Sequence, residues 1–294
     1  MPDIQPLDLL TCFEQEPPPL DFVLPGMVAG TLGLIVGMGS AGKSMLAIQI
    51  GLSVASGRDL FGVLGADPVQ GRVVYLSAED QAPVLHHRLY GMREFIPADL
   101  RPLIAGAFDV VPIYGQGVSI GPQADKGPKG DPVETPWGAV SRFCEGARLA
   151  ICDTLIRFAG GRAENDNEAM AAMMSHVETT TRQTGAAFLM IHHVGKAVGR
   201  DGTAGSDQTA TRGASALTDN ARWQANLATM TREDGERRGY DPDERKRFVS
   251  FEITKQNYGP ATPALWLERG PGGVLRAGQP NEPRGGRGNG QGRL

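Results

Sequence analysis

Apolar and polar residues alternate along the chain in a pattern of short buried strands and amphipathic helices. Continuous apolar runs, typical of strands that are buried on both faces of a sheet, occupy residues 31–36, 72–77, 108–113, 149–152 and 186–191. Helical spacing of apolar residues separates these runs at residues 45–50, 81–95, 137–146 and 168–184. Strands that alternate with helices predict an α/β fold with a mostly parallel, doubly wound sheet, and such sheets bind ligands at the carboxyl ends of their strands.

The last quarter of the chain has a different pattern. Residues 222–230 and 248–254 alternate in polarity, which predicts edge strands, and residues 264–267 and 273–275 predict a closing hairpin. We therefore expect antiparallel edge strands at the C-terminal end of the sheet. Residues 115–136 and 195–211 are rich in glycine and lack periodicity, so we interpret them as loops.

The 294 residues, of which 40% are hydrophobic, fit one large domain better than two. Residues 1–25 combine a short amphipathic segment with three consecutive prolines, and this arm either packs on its own domain or reaches a neighbouring subunit. Residues 26–277 form the predicted domain. The composition of residues 278–294, dominated by glycine, proline, asparagine and arginine, predicts a disordered tail.

One glycine-rich segment lies between the first long apolar run and the first helical pattern. It reads Gly37-Met38-Gly39-Ser40-Ala41-Gly42-Lys43-Ser44, and Met45 follows it. Strand, Gly-x-x-x-x-Gly-Lys-Ser loop and helix together predict a phosphate-binding loop, in which backbone N–H groups and the helix N-terminus face a polyphosphate. Lys43 is expected to reach the β- and γ-phosphates of ATP, and the Ser44 hydroxyl to ligate Mg²⁺.

Charge and cysteine content narrow the class of protein. The net charge of -4 argues against a protein that passively coats DNA, although a ring needs only a few cations per subunit. The three cysteines show no metal or disulfide spacing, which indicates reduced thiols in a cytoplasmic protein. We expect no signal peptide and no membrane association, because the N-terminus lacks a basic-then-apolar pattern and no apolar run is long enough to span a bilayer.

Two carboxylates fall at the predicted carboxyl ends of strands. Glu79 follows the strand at 72–77 and is positioned to orient or deprotonate the water that attacks the γ-phosphate. The alternative is that Glu79 only stabilises the start of the next helix, a task that Asp80 performs equally well. Asp153 ends the strand at 149–152, as expected of a Walker B aspartate that holds Mg²⁺ beside Ser44.

Four further side chains are candidates for phosphate contacts. His192 and His193 end the strand at 186–191, and because neighbouring strand residues point to opposite faces, at most one of them faces the nucleotide. Arg212 and Lys255 are candidates for the positive charge that stabilises phosphoryl transfer, although either could be an ordinary surface cation.

Together these segments resemble the RecA-like, homohexameric replicative helicases, and most closely the RepA-type helicases of broad-host-range mobilisable plasmids. The resemblance is collinear between residues 5 and 276, and the segments that carry it are 19–31, 37–44, 75–80, 86–89, 152–158, 191–193, 212–215, 219–224 and 255–259. The glycine-rich tail lies outside it.

The resemblance implies a RecA-like ATPase that forms a hexameric ring around single-stranded DNA, and it implies ATP and Mg²⁺ as ligands. It assigns catalysis to Glu79, a phosphate-sensing role to one histidine of the pair, and the arginine finger in a neighbour's site to Arg212. Lys255 resembles the lysine that reaches a neighbour's phosphates. However, the related string Lys-Gln-Arg-Asn-Gly is replaced here by Lys-Gln-Asn-Tyr-Gly at residues 255–259, which shifts the finger role to Arg212.

The resemblance also places residues 115–135 and 195–211 in the channel as DNA-contacting loops. Their cations suit contacts with the DNA backbone, and they are Lys126, Lys129, Lys196 and Arg200. The expected activity is ATP-dependent 5′→3′ unwinding in plasmid or phage replication, with a replication initiator as a candidate partner. The alternative is a RecA-like, DNA-stimulated ATPase that acts in recombination or regulation without unwinding, while a small-molecule kinase fits the separate Arg212 and Lys255 elements poorly.

Overall fold

The computed structural model describes residues 4–126, 131–160, 167–194 and 215–284. The strands of this part of the chain are β1 (Phe22–Leu24), β2 (Met27–Val28), β3 (Leu32–Gly37), β4 (Val73–Ser77), β5 (Phe108–Pro112), β6 (Ala124–Lys126), β7 (Pro132–Glu134), β8 (Leu149–Asp153), β9 (Ala187–His193), β10 (Trp223–Thr229), β11 (Phe248–Gln256), β12 (Leu265–Arg269) and β13 (Leu275–Ala277). The α-helices are α1 (Leu9–Glu14), α2 (Lys43–Ser56), α3 (Ala82–Met92), α4 (Arg101–Ala107), α5 (Pro136–Phe143), α6 (Leu155–Phe158), α7 (Asn167–Thr184), α8 (Ser215–Asn220) and α9 (Arg232–Arg238).

A nine-stranded sheet forms the centre of the molecule, in the spatial order β5-β4-β8-β9-β3-β10-β11-β12-β13. The strands from β5 to β10 pair in parallel, and β11, β12 and β13 continue the sheet with antiparallel pairing. The predicted fold class is therefore confirmed: an α/β fold with a mostly parallel sheet and antiparallel strands at its C-terminal end.

Hydrophobic residues cover both faces of the sheet, which is why its central strands read as continuous apolar runs. On one face, α2 is buried along almost its whole length, and Leu85 and Met92 of α3 complete that layer. On the other face, α5 and α7 pack with Trp137 and the methionines of residues 168–184. Met170, Met173 and Met174 are fully buried, so the interpretation of this stripe as core packing is confirmed.

Strand register brings the carboxyl ends of the central strands to one edge. Ser77 of β4 pairs with Asp153 of β8, and Gly37 of β3 pairs with His193 of β9. Each of these residues is the last of its strand, so the segments that follow them meet at the same rim of the sheet.

Two sequence expectations about secondary structure are wrong. Residues 115–136 are not entirely loop, because β6 and β7 form a short antiparallel hairpin there. Residues 222–230 do not form an edge strand: β10 lies inside the sheet, parallel to β3 on one side and antiparallel to β11 on the other. The polar residues that suggested an edge, Gln224 and Asn226, are buried and hydrogen-bonded to each other, which satisfies them inside the sheet.

The two ends of the described chain behave differently. Helix α1 is capped by the Asp8 carboxylate, and all of its residues are exposed. At the other end, residues 278–284 of the predicted tail lie against α9, where Arg238 Nη1 donates to the Asn281 carbonyl over 2.6 Å and Arg284 N donates to the Arg237 carbonyl over 2.7 Å. Ordered contacts with the domain therefore extend beyond residue 277, the predicted domain boundary. Among the described helices, none has the length and apolar character needed to cross a bilayer.

Candidate nucleotide-binding site

The glycine-rich loop joins β3 to α2 at the carboxyl edge of the sheet. Only glycine fits at its first position, because a Cβ on Gly37 would lie 2.3 Å from the carbonyl oxygen of Leu227. The backbone of Ser40 and of Gly42 has φ of 64° and 103°, which turns the loop back on itself before α2 begins. The sequence therefore builds the tight loop that the Gly-x-x-x-x-Gly-Lys-Ser spacing predicts.

Lys43 is buried under this loop, with only 3% of its surface exposed. Its Nζ donates to the carbonyl oxygens of Gly37 over 2.7 Å and of Met38 over 2.8 Å, and lies 3.0 Å from His193 Nδ1. Burial lowers the pKa of Lys43 to about 8, against the opposing effect of the Asp153 and Glu79 carboxylates. An ammonium group held this way by a glycine loop is well placed to bind a phosphate.

Asp153, the last residue of β8, is 1% exposed. Its Oδ2 accepts a hydrogen bond of 2.5 Å from Tyr75 Oη, and the Ser44 hydroxyl also bonds to the carboxylate. Burial raises the pKa of Asp153, and Asp153 Oδ1 is buried without a hydrogen-bond partner among the described residues. A buried carboxylate oxygen that is free to accept, next to a serine hydroxyl at a phosphate loop, fits Mg²⁺, which takes few protein ligands and shares water and phosphate oxygens.

Glu79 lies two residues beyond the end of β4, and three groups surround its carboxylate. Thr154 Oγ1 donates to Glu79 Oε1 over 3.0 Å, Arg157 Nε lies 3.7 Å from the same oxygen, and His193 Nε2 lies 3.9 Å from Oε2. These contacts place Glu79 beside the Lys43–His193 pair at the rim.

The alternative role of Glu79 as a helix-stabilising acid is not supported by the geometry. Helix α3 begins at Ala82, its N-cap is Gln81, and its first turn contains no acidic residue. The neighbouring Asp80 carboxylate instead pairs with Arg88 at 2.6 Å. The two adjacent acids therefore have different partners, and of the two only Glu79 contacts the histidine of the site.

The two histidines face opposite sides of β9, as strand alternation predicts. His193 bridges Lys43 and Glu79, whereas His192 is 5% exposed and its Nδ1 has no hydrogen-bond partner among the described residues. Burial lowers the pKa of His192 to about 4, so this imidazole is neutral. His193 is the histidine that the structure brings to the site.

Other predicted site residues are not brought together with this group. Lys255 donates to the carbonyl oxygens of Thr218, over 2.6 Å, and Asp219, and none of its described contacts is with the phosphate loop of its own chain. Lys126 is exposed on β6. Lys129, Lys196, Arg200 and Arg212 lie outside the described residues.

Sequence reasoning missed several residues that contact the predicted site. They are Tyr75, which donates to Asp153, Thr154 and Arg157, which contact Glu79, and Arg269, whose Nη2 donates to the Ala41 carbonyl over 2.9 Å. Tyr75 carried one signal, since a tyrosine inside an otherwise apolar buried strand needs a partner for its hydroxyl. Arg269 carried none, because 228 residues separate it from Ala41.

The sheet order, the phosphate loop at the end of β3 and the carboxylate at the end of β8 define a RecA-like P-loop ATPase. Residues 3–199 match the AAA_25 family, which is described as an AAA domain, and the chain belongs to this family.

Solved structures support the fold. The ATPase domain of a helicase superimposes with a TM-score of 0.56 at 14% identity, over 86% of this chain and 87% of that one. The RadB recombinase gives 0.51 at 14% identity, over 85% and 92%. The flagellar accessory protein FlaH from Methanocaldococcus jannaschii gives 0.50 at 14% identity, over 87% and 91%.

Proposed function

We propose that this protein is a ring-forming replicative DNA helicase of the RepA type, which hydrolyses ATP to translocate on single-stranded DNA and unwind duplex in plasmid or phage replication. The observation that carries the proposal is the convergence of Lys43, Asp153, Glu79 and His193 at one rim of a RecA-like sheet. The collinear resemblance of the sequence to that helicase class narrows the proposal from ATPase to motor.

Each residue at the rim has a chemical role in ATP hydrolysis. Lys43 and the loop N–H groups bind the β- and γ-phosphates, while Ser44 and Asp153 hold Mg²⁺, which neutralises phosphate charge. The Glu79 carboxylate orients a water molecule and takes its proton as the water oxygen bonds to the γ-phosphorus and the bond to ADP breaks. His193 lies between Lys43 and Glu79, so it is the group placed to respond when the γ-phosphate leaves.

The ring part of the proposal rests on the sequence. Arg212 would complete the site of the neighbouring subunit by supplying positive charge at the transferring phosphoryl group. Within the described part of one chain, Arg157 approaches Glu79 and Arg269 bonds to the back of the loop, so neither is an obvious substitute for such a finger. Lys255 would act from the same side as Arg212.

The DNA part of the proposal also rests on the sequence. The loops at 115–135 and 195–211 would contact the DNA backbone through their lysine and arginine side chains. Translocation would run 5′→3′, and a replication initiator would be the loading partner.

The exposed arm supports self-association. The side chains of Leu9, Leu10 and Phe13 on α1 are 62%, 63% and 80% exposed, and the prolines at 17–19 follow the helix as a stiff, exposed segment. Apolar side chains on a helix with no buried residue gain stability only when another surface covers them. We assign that surface to a neighbouring subunit, so that the arm links one subunit of the ring to the next.

The second candidate is a RecA-like, DNA-stimulated ATPase that acts in recombination or regulation without unwinding. The likeness in fold to the RadB recombinase favours it, as does the negative net charge of -4. It uses the same rim residues and differs only in what hydrolysis drives.

Steady-state ATP hydrolysis, measured with and without single-stranded DNA, tests the part that both candidates share. We expect Mg²⁺-dependent turnover that single-stranded DNA stimulates and that Lys43→Ala abolishes. Turnover that persists in Lys43→Ala would contradict the site, and the absence of DNA stimulation would contradict both candidates.

A further inference from the structure

The C-terminal hairpin of the sheet contacts the phosphate loop. Arg269, the last residue of β12, donates from Nη2 to the carbonyl oxygen of Ala41 over 2.9 Å and to that of Ser40 over 3.3 Å. Both carbonyls belong to the apex of the loop, where Ser40 has its positive φ of 64°. A side chain from the far end of the sequence therefore bonds to the part of the loop with the most restricted backbone.

A buried glutamine fixes the other strand of this hairpin to the helix that follows the loop. Gln49 of α2 is fully buried, its Nε2 donates to the Leu275 carbonyl over 2.5 Å, and its Oε1 accepts from the Leu275 N–H over 2.9 Å. A Cβ on Gly42 would lie 3.1 Å from Leu275 Cδ1 and 3.3 Å from Arg269 Nη1. The hairpin is thus packed directly against the start of α2, with Arg269 held at the loop.

The guanidinium of Arg269 has no carboxylate partner among the described residues, although it is half-buried. Burial lowers the pKa of Arg269, but an arginine remains charged at neutral pH. Its described hydrogen bonds therefore go to loop carbonyls. Donation to carbonyl oxygens from a charged group is stronger than between neutral groups, so these bonds hold the apex firmly.

The geometry points to Arg269 as a positioning residue of the phosphate loop, acting within its own subunit. The C=O and N–H of a trans peptide point in opposite directions, so bonds that hold the Ser40 and Ala41 carbonyls on the outer side turn the N–H groups of the same peptides towards the inner side of the loop. Arg269 thereby presets the loop for polyphosphate. This inference rests on the proposed nucleotide site.

The test uses two ligands that share only the phosphates. The full-length protein, Arg269→Ala, Arg269→Lys and the control Arg247→Ala are titrated with MgATP and with Mg²⁺-tripolyphosphate in a calorimeter. Arg247 pairs with Glu268, the residue next to Arg269 on β12, and none of its described contacts is with the loop. Unfolding of each protein without ligand is measured in parallel, so that a change in the fold is separated from a change in the loop.

We expect Arg269→Ala to weaken both ligands by the same factor, about tenfold, as loss of a charged hydrogen bond predicts. Arg269→Lys should recover part of this loss, and Arg247→Ala should bind as the wild type does. Equal affinity of Arg269→Ala and wild type, a loss for ATP alone, or a loss that matches a lower unfolding temperature would overturn the positioning role while leaving the proposed function intact. Failure of the wild type to bind either ligand would instead contradict the proposed function.

Discussion

At the scale of single residues, the sequence predicts those whose position follows from a motif or from strand alternation. Lys43 and Ser44 follow from the glycine spacing, Asp153 from the end of an apolar strand, and the opposite orientation of the two histidines from the two-residue strand period. The partners Tyr75 and Thr154 could not be predicted in the same way, because side-chain pairing across strands depends on which strands become neighbours.

The two adjacent acids after β4 offer a matched pair of variants. We expect Glu79→Gln to bind MgATP normally and to lower kcat by about 10²- to 10⁴-fold, the usual contribution of a general base. Asp80→Asn removes the partner of Arg88 instead and should keep most of the activity. Steady-state hydrolysis and equilibrium binding of a nucleotide distinguish the two effects. Normal kcat in Glu79→Gln would remove Glu79 from catalysis.

The Tyr75 hydroxyl gives a prediction about the metal. Tyr75→Phe removes the donor to Asp153 Oδ2, so the carboxylate is oriented less firmly, and we expect about tenfold more Mg²⁺ to be needed for half-maximal hydrolysis. Tyr90→Phe is the control, since Tyr90 is exposed on α3 and its ring faces Arg93. An unchanged Mg²⁺ requirement in Tyr75→Phe would show that the hydroxyl does not tune the carboxylate.

At the scale of elements, the parallel strands and the closing hairpin were predictable from apolar runs, whereas the place of β10 was not. Polar Gln224 and Asn226 suggest an exposed edge, but their mutual hydrogen bond lets β10 lie between β3 and β11. The β6–β7 hairpin was missed for the opposite reason, since its residues are all exposed and carry no apolar period.

The bond between α2 and the C-terminal hairpin is an element-scale contact that can be tested by stability. Gln49→Ala leaves the N–H and the C=O of Leu275 buried without their partner, and we expect a loss of about 2–4 kcal/mol in the free energy of unfolding. Gln116→Ala, which removes an exposed side-chain bond to Pro112, should cost far less. Urea unfolding followed by circular dichroism measures both, and equal stability of Gln49→Ala and wild type would contradict the structural role of this contact.

At the scale of the whole molecule, the single chain leaves a helix with exposed apolar residues at one end. This feature agrees with a ring in which one subunit covers the arm of the next. The sequence predicted the arm from its amphipathic segment and prolines, but the surface that covers it belongs to another chain and cannot be read from one.

Phe13 tests the arm. Because Phe13 is 80% exposed in the single chain, Phe13→Asp should leave the unfolding temperature unchanged while weakening self-association, and Glu14→Gln on the same helix should do neither. Sedimentation velocity across a concentration series, with MgATP present, reports the assembly state. Wild-type assembly by Phe13→Asp would contradict the linking role of α1.

Strand separation on a forked DNA duplex, with ATP and Mg²⁺, tests the central claim most directly. The account predicts that the wild type releases the labelled strand, while Lys43→Ala and Glu79→Gln, prepared and assayed in parallel, do not. Forks with a single 5′ or 3′ tail then give the direction, which we expect to be 5′→3′. Wild-type protein that hydrolyses ATP on single-stranded DNA yet leaves every fork intact would contradict the motor and favour the non-unwinding ATPase.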